Sequence, residues 1–172
     1  FHNEILDHHP DYLDALNAGY RYRHAEPRTD GEPALTLHKI PIFGEAGGRA
    51  ACFYVAEPIT RAVQVGGVEL SPLERDALTC FRQVAEHPDM YLEHEFQVGD
   101  LQFLNNRVVL HSRTAYADHD AVENKRHLLR LWLIMPDWAR LPPAMKMIDA
   151  TDRLGGGMAK ADAATDETKI SL

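Results

Sequence analysis

The 172 residues amount to about one ordinary domain. A composition 45% apolar and 26% charged excludes a disordered or membrane-spanning chain. The balance of 18 basic against 26 acidic residues gives a net charge of −8, which argues against DNA or anionic lipid as the main partner.

The chain opens at Phe1 in mid-pattern with no signal-like segment, as expected of a portion of a longer protein. Residues 1–19 carry Ile5, Leu6, Tyr12, Leu13 and Leu16 near helical spacing and read as one or two short helices. Pro10 suits a helix start and Gly19 a stop. A polar, turn-rich loop follows. From Ala34 the period shortens, and ALTLHKIPIF, GEAGG and RAACFYV read as a β-hairpin with a glycine-containing turn. Ser71-Pro72-Leu73-Glu74 is a capping box with proline at the first helical position, predicting a helix from Ser71 to about His87.

The second half reads as β structure. Strands are expected over 90–98, 101–104 (after a Gly99-Asp100 turn), 107–112 (after Asn105-Asn106) and, most strongly, 125–135. The longest apolar run, Leu128–Met135, is broken by Arg130 and is too short to cross a bilayer. From Leu141 the sequence turns to Pro142-Pro143 and GGGMAKADAATDE, a loosely docked tail. Cys52 and Cys80 are too few for a disulfide framework, so a reducing cytoplasm is the expected setting. The sum is an α+β chain whose second half is mostly antiparallel sheet, as in a sandwich or jelly roll.

Among ten histidines, His111 stands out because it closes an apolar strand where a loop begins. Its neighbours alone better suit a strand-end histidine bonded to a backbone carbonyl. In the 125–135 strand, period two puts His127, Leu129, Leu131, Leu133 and Met135 on a core-facing side. The other side carries Arg126, Leu128, Arg130, Trp132 and Ile134. A cavity wall that binds anions through guanidinium forks would explain arginines among large apolar residues. An exposed face with snorkelling arginines would explain them too.

The order GDLQFLNNRVVLHSRTAYAD, a short loop, then KRHLLRLWL resembles the C-terminal part of taurine dioxygenase-like (TauD/TfdA) oxygenases, and HNEILDHHPDYLDAL resembles a helix from the middle of such proteins. The resemblance implies a double-stranded β-helix (jelly-roll) core with flanking helices, incomplete in this chain. It implies residues 1–140 as the C-terminal portion of one oxygenase domain, with 141–172 as tail. It also implies an Fe(II)- and 2-oxoglutarate-dependent dioxygenase that uses O2 to oxidise a small organic substrate, releasing succinate and CO2. A non-catalytic jelly-roll module holding a small anion is the alternative. On this resemblance His111 matches the second metal histidine, Arg126 the arginine that grips the cosubstrate, and Arg130 a second arginine near cosubstrate or substrate. Asn106, on the approach to His111, is a candidate for the substrate side.

The resemblance places the family's first ligands, a His-x-Asp or His-x-Glu pair, upstream of Phe1. Four tripeptides mimic that pair: His2-Asn3-Glu4, His9-Pro10-Asp11, His24-Ala25-Glu26 and His87-Pro88-Asp89. Each has a local reading as helix, helix start, loop or turn. A small-molecule partner is expected, with neither nucleic acid nor membrane, and homo-oligomerisation is left open.

Overall fold

The computed structural model describes residues 1–23, 35–131, 133 and 142–145. Two short helices open the chain, α1 over His2–His8 and α2 over Pro10–Ala18. Pro10 separates them: lacking an N–H, it cannot extend α1 but fits the first turn of α2. Ile5 from α1 and Leu13, Ala15 and Leu16 from α2 are buried. The chain leaves α2 at Gly19, which has a φ of 81°. It then pairs in antiparallel fashion with the segment before the hairpin, through Tyr20 N–H to Ile40 C=O at 3.0 Å and the reverse bond at 2.8 Å.

The hairpin expected from the glycines forms and is shorter than its sequence suggests. β1 (Phe43–Ala46) pairs with β2 (Arg49–Cys52), from Phe43 opposite Cys52 to Ala46 opposite Arg49. The connecting Gly47 and Gly48 both have positive φ (59° and 75°), which twists a two-residue turn with the strands. Next comes a helix the sequence reading does not anticipate, α3 over Ala56–Gln64, which buries Pro58, Ile59 and Ala62.

The capped helix is present as α4, Pro72–Ala85. Ser71 Oγ accepts from Glu74 N–H at 3.2 Å, and Glu74 Oε2 accepts from Ser71 N–H at 2.8 Å. Glu74 Oε1 also accepts from Lys39 Nζ at 2.6 Å, and Tyr20 OH donates to the Glu74 carbonyl at 3.0 Å. Burial works against the Glu74 carboxylate, but its bonds from Lys39 and Ser71 and the Lys39 charge outweigh that and hold it below its ordinary range.

α4 packs on α2 and α1, and its buried Phe81 is an aromatic hub. The Phe81 ring lies 4.7 Å from Tyr54, 5.7 Å from Phe43 and 6.0 Å from Phe1. Tyr22 and Phe53 form a second aromatic pair at 5.4 Å. Thr36 is buried and fully satisfied: its hydroxyl accepts from Tyr22 N–H and donates to the His38 carbonyl. Part of the tail region is docked as well. Met145 is buried, and His38 Nε2 lies 3.2 Å from the Ala144 carbonyl oxygen.

The β structure expected beyond residue 90 is not formed as a sheet. Among the described residues the one sheet is the β1–β2 hairpin, and the segments 91–104 and 109–118 run without strand pairing. Their apolar side chains are open to solvent, with Leu92 at 99%, Leu101 at 85% and Phe103 at 81% exposure. Leu129, Leu131 and Leu133, expected to face a core, are likewise exposed. A strand is stabilised by the ladder of its neighbours, and these segments have none within the described chain. The Gly99-Asp100 turn is present, with Gly99 at φ 97° and Asp100 N–H bonded to the Gln97 carbonyl at 3.1 Å. Trp132, Ile134, Met135 and His24-Ala25-Glu26 lie outside the described residues. Among the described residues no helix is long and apolar enough to cross a membrane.

Candidate functional site

Asn105 organises the approach to His111. Its carbonyl accepts from Val108 and Val109 N–H at 3.0 and 2.9 Å, while its side-chain Oδ1 accepts from Arg107 N–H at 3.1 Å. This local bonding, typical of an asparagine before a turn, replaces the strand expected to start at Arg107. The turn presents the Arg107 carbonyl to the end of β2, where Cys52 N–H donates to it at 2.6 Å. The Arg107 guanidinium lies over the Phe53 ring at 5.7 Å, and burial lowers its proton affinity below the ordinary arginine value. Asn106 is half-buried within the turn. Leu110 packs against the core, and His111 follows it into solvent.

The loop after His111 has its own frame. The Arg113 guanidinium lies 4.6 Å from the centre of the Tyr116 ring, and that of Arg126 lies 5.4 Å from the same centre. Asp118 Oδ1 accepts from His119 N–H at 3.1 Å and, eight residues along the chain, from Arg126 N–H at 3.0 Å. A single 3-10 turn over Val122–Asn124 brings the chain round between them. Arg130 is exposed. Among the described residues no carboxylate forms an ion pair with Arg126 or Arg130.

The structure therefore joins Arg126 to Arg113 and Tyr116. It brings neither Arg126 nor Arg130 into hydrogen-bond, ion-pair or ring contact with His111 or Asn106 among the described residues. An iron ion of the kind the resemblance implies needs three protein ligands on one face. No three His, Cys, Asp or Glu side chains converge in that way among the described residues, so these residues do not by themselves make a metal site. The three described tripeptides have other occupations. His2 and Glu4 lie on α1, and His9 and Asp11 open α2. His87 Nδ1 accepts from Asp89 N–H at 3.3 Å in a 3-10 turn.

Sequence reasoning missed Arg107, Tyr116 and Asp118. Asp118, ahead of a polar loop, carries a turn signal that could have been read. The two arginines on one tyrosine carry none, because the segment read as a loop and the ten residues from Tyr116 to Arg126 match no regular element.

Residues 1–132 match the family model described as Taurine catabolism dioxygenase TauD, TfdA family. The chain is 30% identical over 149 residues to "FR-33289 synthase" of Streptomyces rubellomurinus (strain ATCC 31215), an alignment covering 84% of this chain and 43% of that protein. It is also 30% identical over 149 residues to "Taurine hydroxylase-like protein SAT17" of Stachybotrys chartarum (strain CBS 109288 / IBT 7711), covering 84% of this chain and 37% of that protein. The chain thus spans less than half the length of these curated relatives. The matched residues run from α1 past His111, Arg126 and Arg130, and the chain belongs to the TauD/TfdA family of dioxygenases.

Proposed function

We propose that the intact protein is an Fe(II)- and 2-oxoglutarate-dependent dioxygenase that oxidises a small organic substrate and releases succinate and CO2. The observation that carries this reading is the family match over residues 1–132, which contains every candidate site residue. In this reading the intact protein folds as a double-stranded β-helix. Residues 1–140 are the C-terminal portion of its oxygenase domain and 141–172 are a tail. The greater length of the relatives supports assigning the missing strand partners and two metal ligands to chain outside these 172 residues.

His111 offers one imidazole nitrogen to the iron. Arg126 takes a carboxylate of 2-oxoglutarate through its guanidinium fork, which presents paired N–H donors to a planar anion. Arg130 lies roughly 13 Å further along an ideal strand, too far to share one diacid symmetrically, and serves substrate or coupling. Asn106 faces the substrate side. The iron and cosubstrate supply the oxidising chemistry, while the protein's part is to bind, orient and shield. A cytoplasmic setting and a small-molecule partner complete the proposal, with the charge of −8 disfavouring nucleic acid.

The test is succinate formation from 2-oxoglutarate by the intact protein with Fe(II) and O2, repeated with His111→Ala. Loss of iron-dependent turnover in a variant whose circular dichroism is native supports the assignment. Unchanged turnover removes His111 from the metal site. Binding of 2-oxoglutarate without any succinate, even in the native protein, overturns the enzymatic reading in favour of a binding module.

A further inference from the structure

Two contacts of different kinds reach Arg126 from the three residues 116–118. The Tyr116 ring lies under its guanidinium at 5.4 Å, and the Asp118 carboxylate holds its backbone N–H at 3.0 Å. The first limits where the end of the side chain points, and the second fixes where the residue starts. We infer that Tyr116 and Asp118 are positioning residues that aim the Arg126 guanidinium at a carboxylate ligand. The inference rests on the proposed assignment of Arg126 to the cosubstrate.

The chemistry favours this arrangement. A guanidinium can lie against a ring by its flat face, which leaves its N–H donors, all in the plane, free for a planar anion. An ion pair to a protein carboxylate would instead consume those donors. Asp118 avoids that competition: its Oδ1 binds the backbone N–H groups of His119 and Arg126. Arg113 stands over the same ring at 4.6 Å, and no protein carboxylate is paired to Arg126 among the described residues. Tyr116 is 48% exposed, so its replacement disturbs little buried structure.

The experiment measures 2-oxoglutarate binding to the intact, Fe(II)-loaded protein by anaerobic calorimetry, together with KM and kcat. Tyr116→Leu is expected to weaken binding about two- to fivefold, the size of an exposed cation–π contact, and to raise KM for 2-oxoglutarate with kcat unchanged. Tyr116→Phe keeps the ring and should bind as the native protein does. Asp118→Ala should weaken binding and remove hydrogen-exchange protection from the Arg126 amide, while Asp118→Asn, which retains an acceptor, restores both. Native affinity in Tyr116→Leu alongside lost affinity in Arg126→Ala overturns the inference and leaves the Arg126 assignment standing. Equal damage from Tyr116→Phe and Tyr116→Leu also overturns it, because the hydroxyl would then be the group in use. Unaltered protection in Asp118→Ala removes Asp118 from the proposal. Native affinity in Arg126→Ala overturns the cosubstrate assignment and this inference together.

Discussion

The N–H of Cys52, the last residue of β2, donates to the carbonyl of Arg107 at 2.6 Å. This bond, with the Arg107 guanidinium over Phe53 and Leu110 against the core, ties the turn before His111 to the folded part of the chain. The Cys52 thiol is buried there, and burial pushes it up to about 11.

A thiol held in its neutral form gives a testable pH dependence. The folded value lies above the ordinary 9.0, so the stabilisation is complete below pH 9 and is lost as pH rises towards 11. Its loss should cost roughly 2–3 kcal/mol, since each tenfold difference in proton affinity between the folded and unfolded thiol is worth about 1.4 kcal/mol. Urea unfolding of the native protein and of Cys52→Ala between pH 8 and about 11 checks this, the native protein showing the steeper decline. Cys52 should also resist iodoacetamide until the protein unfolds.

Removing the aromatic hub should be the most damaging single truncation of the helical layer. Phe81→Ala deletes a fully buried ring in contact with Phe1, Phe43 and Tyr54, and is expected to cost about 3–5 kcal/mol. A thermal melt followed at 222 nm measures it.

The capping box should show both a size and a pH signature. Ser71→Ala should cost about 1 kcal/mol. Glu74→Gln removes a carboxylate held below its ordinary value, so its stabilisation is present above pH 4.5 and lost as pH falls through the lower folded value. The stability gap between native and Glu74→Gln should therefore close on acidification. A gap that widens would show that burial, rather than Lys39 and Ser71, governs this group.

Of Arg126 and Arg130, Arg126 should matter more for the cosubstrate. Arg126→Ala in the intact protein should raise the 2-oxoglutarate requirement by tens to thousands of fold, on the order of 2–5 kcal/mol for one half of a desolvated charge pair. Arg126→Lys should rescue poorly, since an ammonium cannot reproduce the planar fork. Arg130→Ala should chiefly disturb use of the prime substrate. A larger 2-oxoglutarate effect from Arg130→Ala reverses the two roles.

What could be read from the sequence was what local chemistry decides. Pro10, Gly19, the Gly47-Gly48 turn and the Ser71–Glu74 box act on their immediate neighbours, and each appears where its chemistry puts it. α3 escaped because Val55 gives no side-chain cap bond and Pro58 in the first turn obscures the start. Period two beyond residue 90 marks segments suited to a sheet, but pairing depends on partners. Leu92 and Phe103 stay exposed for want of them. His111 and Arg126 are candidates through the family resemblance of the residues around them. That Tyr116 would gather Arg113 and Arg126 could not be read from the sequence, because that proximity is set by the path of the loop.

Met145 reaches back across about a hundred residues to lie against Gly44, where an added Cβ would stand 2.4 Å from its sulfur. A contact of such span is entropically the slowest kind to close, with a cost that grows as the logarithm of the enclosed length. During synthesis α1 to α4 emerge before Met145 does, so they can pack before it is there to lie over Gly44. Gly44 leaves the space that the Met145 sulfur takes, and a side chain there would oblige that flexible thioether to find another seat.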